Sequence, residues 1–301
     1  MEAGSTPVAA IAPGLSSARM TPVEIILAPF HGGVRGDQVG QGPLRLMEIG
    51  LADRLAAAGA GVTTCDLGEV GEEEGEIGRS FEVKRRVAGA VADAVRAGRF
   101  PVVLAGNCNA EVGTYAGLGA PDAELVWFDG HADFHTPDDL TGGYFDSMGA
   151  ATLTGRCWHA LAATVPGFRP LAPERLLYCG PRNLEPALWK RMEAHGVRAV
   201  RGGTHRPSSF AAALEGLLRE DCHALIHLDV DCLDTTEGPA NAYAEPGGLS
   251  GADLLACLDR VLARARPLAL TVASYDPSQP GADRIGEVAA EAVERVTRSL
   301  R

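Results

Sequence analysis

A chain of 301 residues that is 46% hydrophobic and 22% charged can bury a full α/β core. Its net charge of -12 comes without a Lys/Arg run or basic stripe, which excludes nucleic acid as the main partner and suits a small cationic substrate. No apolar stretch reaches the length of a membrane span, and seven cysteines without a CxxC pair or framework spacing point to a reducing, cytoplasmic compartment.

Residues 1–20, rich in Ala, Ser, Gly and Pro and without a basic start, read as a disordered leader, and residues 21–301 as a single domain. From there apolar runs and amphipathic stretches alternate. Strands are expected at 23–28, 61–67, 101–105, 124–128, 175–179, 197–200, 224–228 and 267–274. Helix patterns lie between most of them, at 43–60, 81–98, 184–195, 208–219, 250–264 and 283–300. Such alternation predicts an α/β fold whose mainly parallel sheet, of about eight strands, is covered by helices on both faces.

Two runs carry the chemistry. Trp127-Phe128-Asp129-Gly130-His131-Ala132-Asp133 leaves one expected strand, and His227-Leu228-Asp229-Val230-Asp231 leaves another. Side chains two apart on an extended chain leave the same side, so Asp129, His131 and Asp133 can face one point, as can Asp229 and Asp231. Converging oxygen and nitrogen donors just beyond the carboxyl ends of parallel strands are what adjacent divalent cations require. A lone Asp after a strand more often caps a helix or a turn. Two clusters of this density favour metal that activates water. The pairs Gly202-Gly203 and Gly247-Gly248 lack phosphate-loop spacing, no GxSxG elbow occurs, and His223 and His227 read as core or strand-edge histidines.

Together with Gly106-Asn107-Cys108-Asn109, and with Asp229-Val230-Asp231-Cys232-Leu233-Asp234 followed by Glu245-Pro246-Gly247-Gly248-Leu249, these runs resemble, in order, the three signatures of the ureohydrolases, the arginase and agmatinase family. The resemblance implies a three-layer α/β/α sandwich, with an eight-stranded mainly parallel sheet, and a binuclear, usually manganese, centre. It implies that Asp129, His131, Asp229 and Asp231 hold one Mn2+ and that Cys108, Asp129, Asp133 and Asp229 hold the other. Two such cations would bring a water to hydroxide near neutral pH for attack on a guanidinium carbon. Asp133 would pass its proton to the leaving amine, releasing urea or a urea analogue.

Several positions depart from the family pattern. Cys108 stands where a histidine ligand is usual, and a thiolate shifts preference toward zinc or a weaker manganese site. Oxygen donation by Asn107 or Asn109, and absence of the second ion, stay open. His135 stands where the family has asparagine, and the family's mobile catalytic histidine falls near Asp146. Both become candidate proton carriers, with a plain loop role for His135 equally open. The carboxylate that grips guanidinium falls at Ser274, which leaves Asp276 as the candidate replacement; a cation without a paired anion is poorly held in a dry pocket. The cysteine in the first signature, Asp-Gly-His-Ala-Asp in the second, and Asn241 with Tyr243 resemble the branch that hydrolyses N-hydroxyarginine. Its less basic hydroxyguanidine needs a weaker anionic grip, and Asn241 and Tyr243 would contact it.

Two other readings stand beside this one. One is an amide hydrolase of the deacetylase type that uses a single zinc ion on Asp129, His131 and Asp229. The other is a metal-binding relative without catalysis. Family members often assemble as trimers or hexamers, so a homo-oligomer is a further expectation.

Overall fold

In chain order the strands are β1 (Val23–Ala28), the short β2 (Phe30–His31) and β3 (Val34–Arg35), β4 (Val62–Asp66), β5 (Phe100–Ala105), β6 (Glu124–Phe128), β7 (Leu176–Cys179), β8 (Arg198–Val200), β9 (Cys222–Asp229) and β10 (Ala265–Ala273). This is a computed structural model that describes residues 20–71, 75–140 and 143–300; the expected leader, Met20 apart, lies outside them. β2 and β3 form a small hairpin. The other eight strands make one sheet in the order β4-β1-β5-β10-β9-β6-β7-β8, with every pairing parallel.

The strands form where aliphatic and β-branched residues run almost without a break, as a parallel sheet buried on both faces requires. Their alternation sorts the two faces. Val23, Ile25 and Leu27 of β1 and Val126 and Phe128 of β6 join one core, while Ile26 and Ala28, and Leu125 and Trp127, join the other. The first core is closed by helices α1 (Gly42–Glu48), α2 (Leu51–Ala57), α8 (Phe210–Glu215), α9 (Gly251–Arg264) and α10 (Asp283–Arg298). The second is closed by α3 (Gly75–Arg96), α4 (Glu111–Leu118), α5 (Gly149–Leu153) and α7 (Pro186–Ala194). A four-residue helix, α6 (His159–Ala162), sits against α3 and α5 in a smaller apolar cluster. The result is a three-layer α/β/α sandwich.

The structure departs from the sequence expectations chiefly in its helices: α3 begins at Gly75 rather than at 81, and α5 and α6 were not expected. The helix expected over 43–60 breaks into α1 and α2 because Gly50 takes φ +83°, a left-handed conformation that cannot continue a right-handed helix. The stretch expected over 208–219 is regular only at Phe210–Glu215, where the Ser209 hydroxyl accepts from Ala212 N at 3.2 Å. Helix α4 was not expected, since Gly113 and Gly117 weaken its pattern. Those glycines let α4 lie directly on α3: a Cβ at Gly113 would stand 2.5 Å from the Lys84 carbonyl. The start of α9 follows its sequence signal, with the Ser250 hydroxyl accepting from Asp253 N at 3.0 Å and the Asp253 carboxylate accepting from Ser250 N at 3.1 Å.

β5, β10, β9 and β6 are neighbours at the centre of the sheet. Their carboxyl ends therefore deliver the segments around Cys108, Ser274, Asp229 and Asp129 to one place, which is where parallel α/β sheets hold their ligands. Among the described residues no helix is long and apolar enough to cross a membrane.

Candidate metal centre

The two acidic runs do not converge as extended strands. Beyond β6 and β9 each folds into a turn closed by its own first aspartate. Asp129 Oδ1 accepts from His131 N at 2.6 Å, and Asp229 Oδ1 accepts from Asp231 N at 2.7 Å. The turns then lock together, with Gly130 N donating to Asp231 Oδ1 at 3.0 Å. Asp133 completes the first run with φ +47°, a left-handed conformation that aspartate tolerates better than most residues.

Two groups of donors result, sharing Asp129. Cys108, Asp129 and Asp133 each place one ligand atom within 4.8 Å of the others, and so do Asp129, His131 and Asp231. Asp229, expected to bridge, stands outside both groups. Its Oδ2 instead accepts from the Cys108 thiol at 2.8 Å, and the same thiol lies 3.3 Å from Ser274 Oγ.

The remaining oxygens are held by neighbours. The Trp127 indole N–H donates to Asp129 Oδ2 at 2.7 Å. Its ring stacks on His227 at 4.0 Å between centroids, and His227 Nδ1 is 3.1 Å from Glu111 Oε2. Asn241 Nδ2 donates to Asp231 Oδ2 at 3.2 Å and to the Ser274 carbonyl at 3.0 Å, while its own oxygen accepts from Tyr243 N at 2.8 Å. Asn241, expected to contact substrate, lines the cavity and also orients Asp231.

The electrostatics are those of a cation site. Burial pushes Asp133 well above the ordinary carboxylate range, and the charges of Asp129, Asp146 and Asp229 push it further. Burial does the same to Asp229, helped by Asp231 and Asp129. The charge of Asp231 pushes His131 up to about 12. Although burial opposes it, His131 in turn holds Asp231 below its usual range. Four carboxylates gathered around one imidazole, three of them buried, form a pocket of negative potential that a hard divalent cation fits. Burial also pushes the Cys108 thiol well up, followed by the charge of Asp229; a bound cation would reverse that by favouring the thiolate.

The cluster forms one wall of a cavity of about 360 Å³. His135 and Asp146 line it, as expected of proton carriers, as do Tyr243 and Asp276. His135 is half-buried, and its burial lowers its pKa. Asp146 is committed on both oxygens, to Asn107 Nδ2 at 2.6 Å and to Asn109 N at 3.0 Å. Asp276 caps its own turn, accepting from Ser278 N at 2.9 Å, Ser278 Oγ at 2.6 Å and Gln279 Nε2 at 2.8 Å. Tyr243 is 52% exposed, its ring 5.3 Å from that of Tyr144 at the cavity mouth.

Two residues at the site carried little signal in the sequence. His31, from the β2–β3 hairpin, lines the cavity with Nδ1 3.3 Å from Asn107 Nδ2. Lys84 is fully buried on α3 with its ammonium 2.8 Å from Asn109 Oδ1. Its only signal was a charge at an inward position between Phe81 and Val87.

Comparison with known proteins follows this geometry. The family model described as "Arginase family" matches residues 21–299. An arginase of Eremothecium gossypii is 28% identical over 279 residues, covering 84% of this chain and 69% of the relative. An arginase of Glaciozyma antarctica is 30% identical over 249 residues, covering 75% of this chain and 72% of the relative. Among solved structures, the arginase from Bacillus caldovelox superposes with a TM-score of 0.82 at 22% identity, over 92% of this chain and 98% of that one, which shows a shared fold.

Proposed function

The chain belongs to the arginase family and is a metal-dependent ureohydrolase-type enzyme, and from that premise we propose that it cleaves the C–N bond of a hydroxyguanidine or closely related amidine. The observation that carries this reading is the fate of the substrate-gripping carboxylate. Ser274 occupies the position, with its hydroxyl beside Cys108, and Asp276 is spent on Ser278 and Gln279. A full guanidinium held there would lack the anion that a desolvated cation needs, whereas a less basic hydroxyguanidine needs mainly hydrogen bonds.

In this reading Cys108, Asp129 and Asp133 would hold one divalent cation and Asp129, His131 and Asp231 the other, with Asp229 bonded to Cys108 beside the first. Manganese is the proposed ion, and the thiol makes zinc the competitor at its site. When bound, the cations supply the charge that lets water act as a nucleophile near neutral pH. Asp133, a carboxylate when the cations are bound, would receive the proton of the attacking water and deliver it to the leaving nitrogen. His135, whose pKa burial lowers, would carry to solvent the proton given up when a new water is activated for the next turnover. Tyr243 and Tyr144 wall the outer end, where the rest of the substrate lies.

Membership of the arginase family does not favour the single-zinc amide hydrolase. We treat residues 21–301 as one domain and place the enzyme in a reducing cytosol, on the support of its seven unpaired cysteines. Turnover by manganese-loaded protein, read as urea from arginine and agmatine and as N-hydroxyurea from their N-hydroxy derivatives, tests the proposal. Faster turnover of an N-hydroxyguanidine supports it. Preference for the unmodified guanidine overturns the substrate assignment, and neither urea nor N-hydroxyurea from any of them overturns the reaction.

A further inference from the structure

Lys84 is the least expected side chain near the site. It lies on the inner face of α3, fully buried, with Phe81 and Phe145 rings each 4.6 Å from its ammonium. It donates to Asn109 Oδ1 at 2.8 Å and to the Ser80 carbonyl at 3.4 Å. Among the described residues no carboxylate lies within salt-bridge distance of it, so its burial is costly. The nearest compensation is the field of Asp146, which acts on it through the same loop.

What this cation holds is the turn that carries the thiol. Asn109 is gripped at its side chain by Lys84 and at its backbone N–H by Asp146 Oδ1. On the other side of Cys108, Asn107 gives Nδ2 to Asp146 Oδ2, and its oxygen accepts from Gly32 N at 2.9 Å. Both neighbours of Cys108 are therefore clamped, and its sulfur sits beside Asp229 and Ser274 with oxygens of Asp129 and Asp133 within 4.8 Å. We propose that Lys84 is a positioning residue for the thiol site: its buried ammonium, acting through Asn109 and together with Asp146, fixes Cys108 where it can share a cation with Asp129 and Asp133.

The inference deepens the two-cation reading above and rests on it for the metal, but not for the clamp. Lys84→Met is the sharp test, because methionine has similar length, suits a slot between two phenylalanines and removes a buried charge, so the variant is expected to fold. In metal-free protein at about pH 6, where Lys84 carries its charge, maleimide alkylation followed residue by residue by peptide mass spectrometry should be about tenfold faster at Cys108 than in wild type, the ratio expected from losing one charge-assisted hydrogen bond. Cys179 and Cys232, buried on the far side of the sheet, should keep their wild-type rates. An unchanged rate at Cys108, or an acceleration shared by Cys179 and Cys232, overturns the proposal. Asn109→Ala keeps the lysine and removes its acceptor, and should reproduce the effect. If Lys84→Met does not fold, a protected Cys108 in Asn109→Ala overturns the proposal and an accelerated one supports it. Manganese titration of the same variants should show the weaker site weakened about tenfold and the tighter one unchanged. A wild type that binds a single ion would instead sink the two-cation reading while leaving the thiol result to decide the clamp.

Discussion

Replacing Lys84 by methionine should stabilise the metal-free protein in a pH-dependent way. The fully buried ammonium has its pKa lowered, by desolvation above all, from the ordinary 10.5 to about 7. At about 1.4 kcal/mol per unit, that depression corresponds to about 5 kcal/mol of lost stability while the group is charged in both folded and unfolded chains. The sign follows from proton counts. Between the folded and unfolded values the unfolded chain binds more protons, so wild-type stability rises with pH across that window and the penalty is fully present only below it. At about pH 6 the variant escapes nearly all of it, and at about pH 9.5 the residual penalty is only about 1.5 kcal/mol. Against this stands the orphaned Asn109 oxygen, which costs about 1–3 kcal/mol at either pH. Urea denaturation in chelator should therefore find Lys84→Met more stable than wild type by about 2–4 kcal/mol at the lower pH, with the difference falling by about 3 kcal/mol at the higher. The other titrating groups are common to both proteins, and Asp146 and Cys157, which feel the Lys84 charge, are those whose titration moves with its removal. An equal difference at the two pH values, or a variant less stable at the lower one, refutes the reasoning.

Other substitutions probe separate parts of the account. Cys108→His should strengthen manganese binding at the weaker site by about tenfold in a calorimetric titration, because imidazole suits that ion better than thiolate; unchanged affinity would remove Cys108 from the ligand set. Gly106→Ala would drive a Cβ into the Phe30 carbonyl oxygen just before the Cys108 turn. It should lower unfolding free energy by about 1–3 kcal/mol, and unaltered denaturation would contradict the close approach. Ser250→Ala removes the hydroxyl of the capping box on α9 and should cost about 1 kcal/mol, read as a thermal midpoint lower by about 2 °C.

The sheet was legible because its strands are aliphatic runs buried on both faces, and β1 and β6 match their expected bounds residue for residue. The helices were legible where a cap marks them, as Ser250 does for α9. They were misjudged where a glycine acts through space: Gly50 breaks one helix, and Gly113 lets α4 approach α3. The acidic cluster announced itself by alternate spacing, yet the spacing works through Asx turns at Asp129 and Asp229 rather than through extended chain. What supports the cluster was not legible. Lys84 meets Asn109 across 25 residues, His31 meets Asn107 across 76, and Glu111 meets His227 across 116. Such contacts exist only once β5, β9 and α3 are packed. Asp276, whose residue type suggested a substrate anchor, lines the cavity and also caps its local turn, a contact its residue type did not announce.

The central claim is that buried carboxylates, one imidazole and one thiol hold a pair of divalent cations. Metal content per chain, determined by mass spectrometry on protein saturated with manganese and then exhaustively dialysed, tests it most directly. The account requires two ions per chain in wild type and a loss at one site when Cys108 is replaced by alanine. One ion or none in the wild type would contradict it.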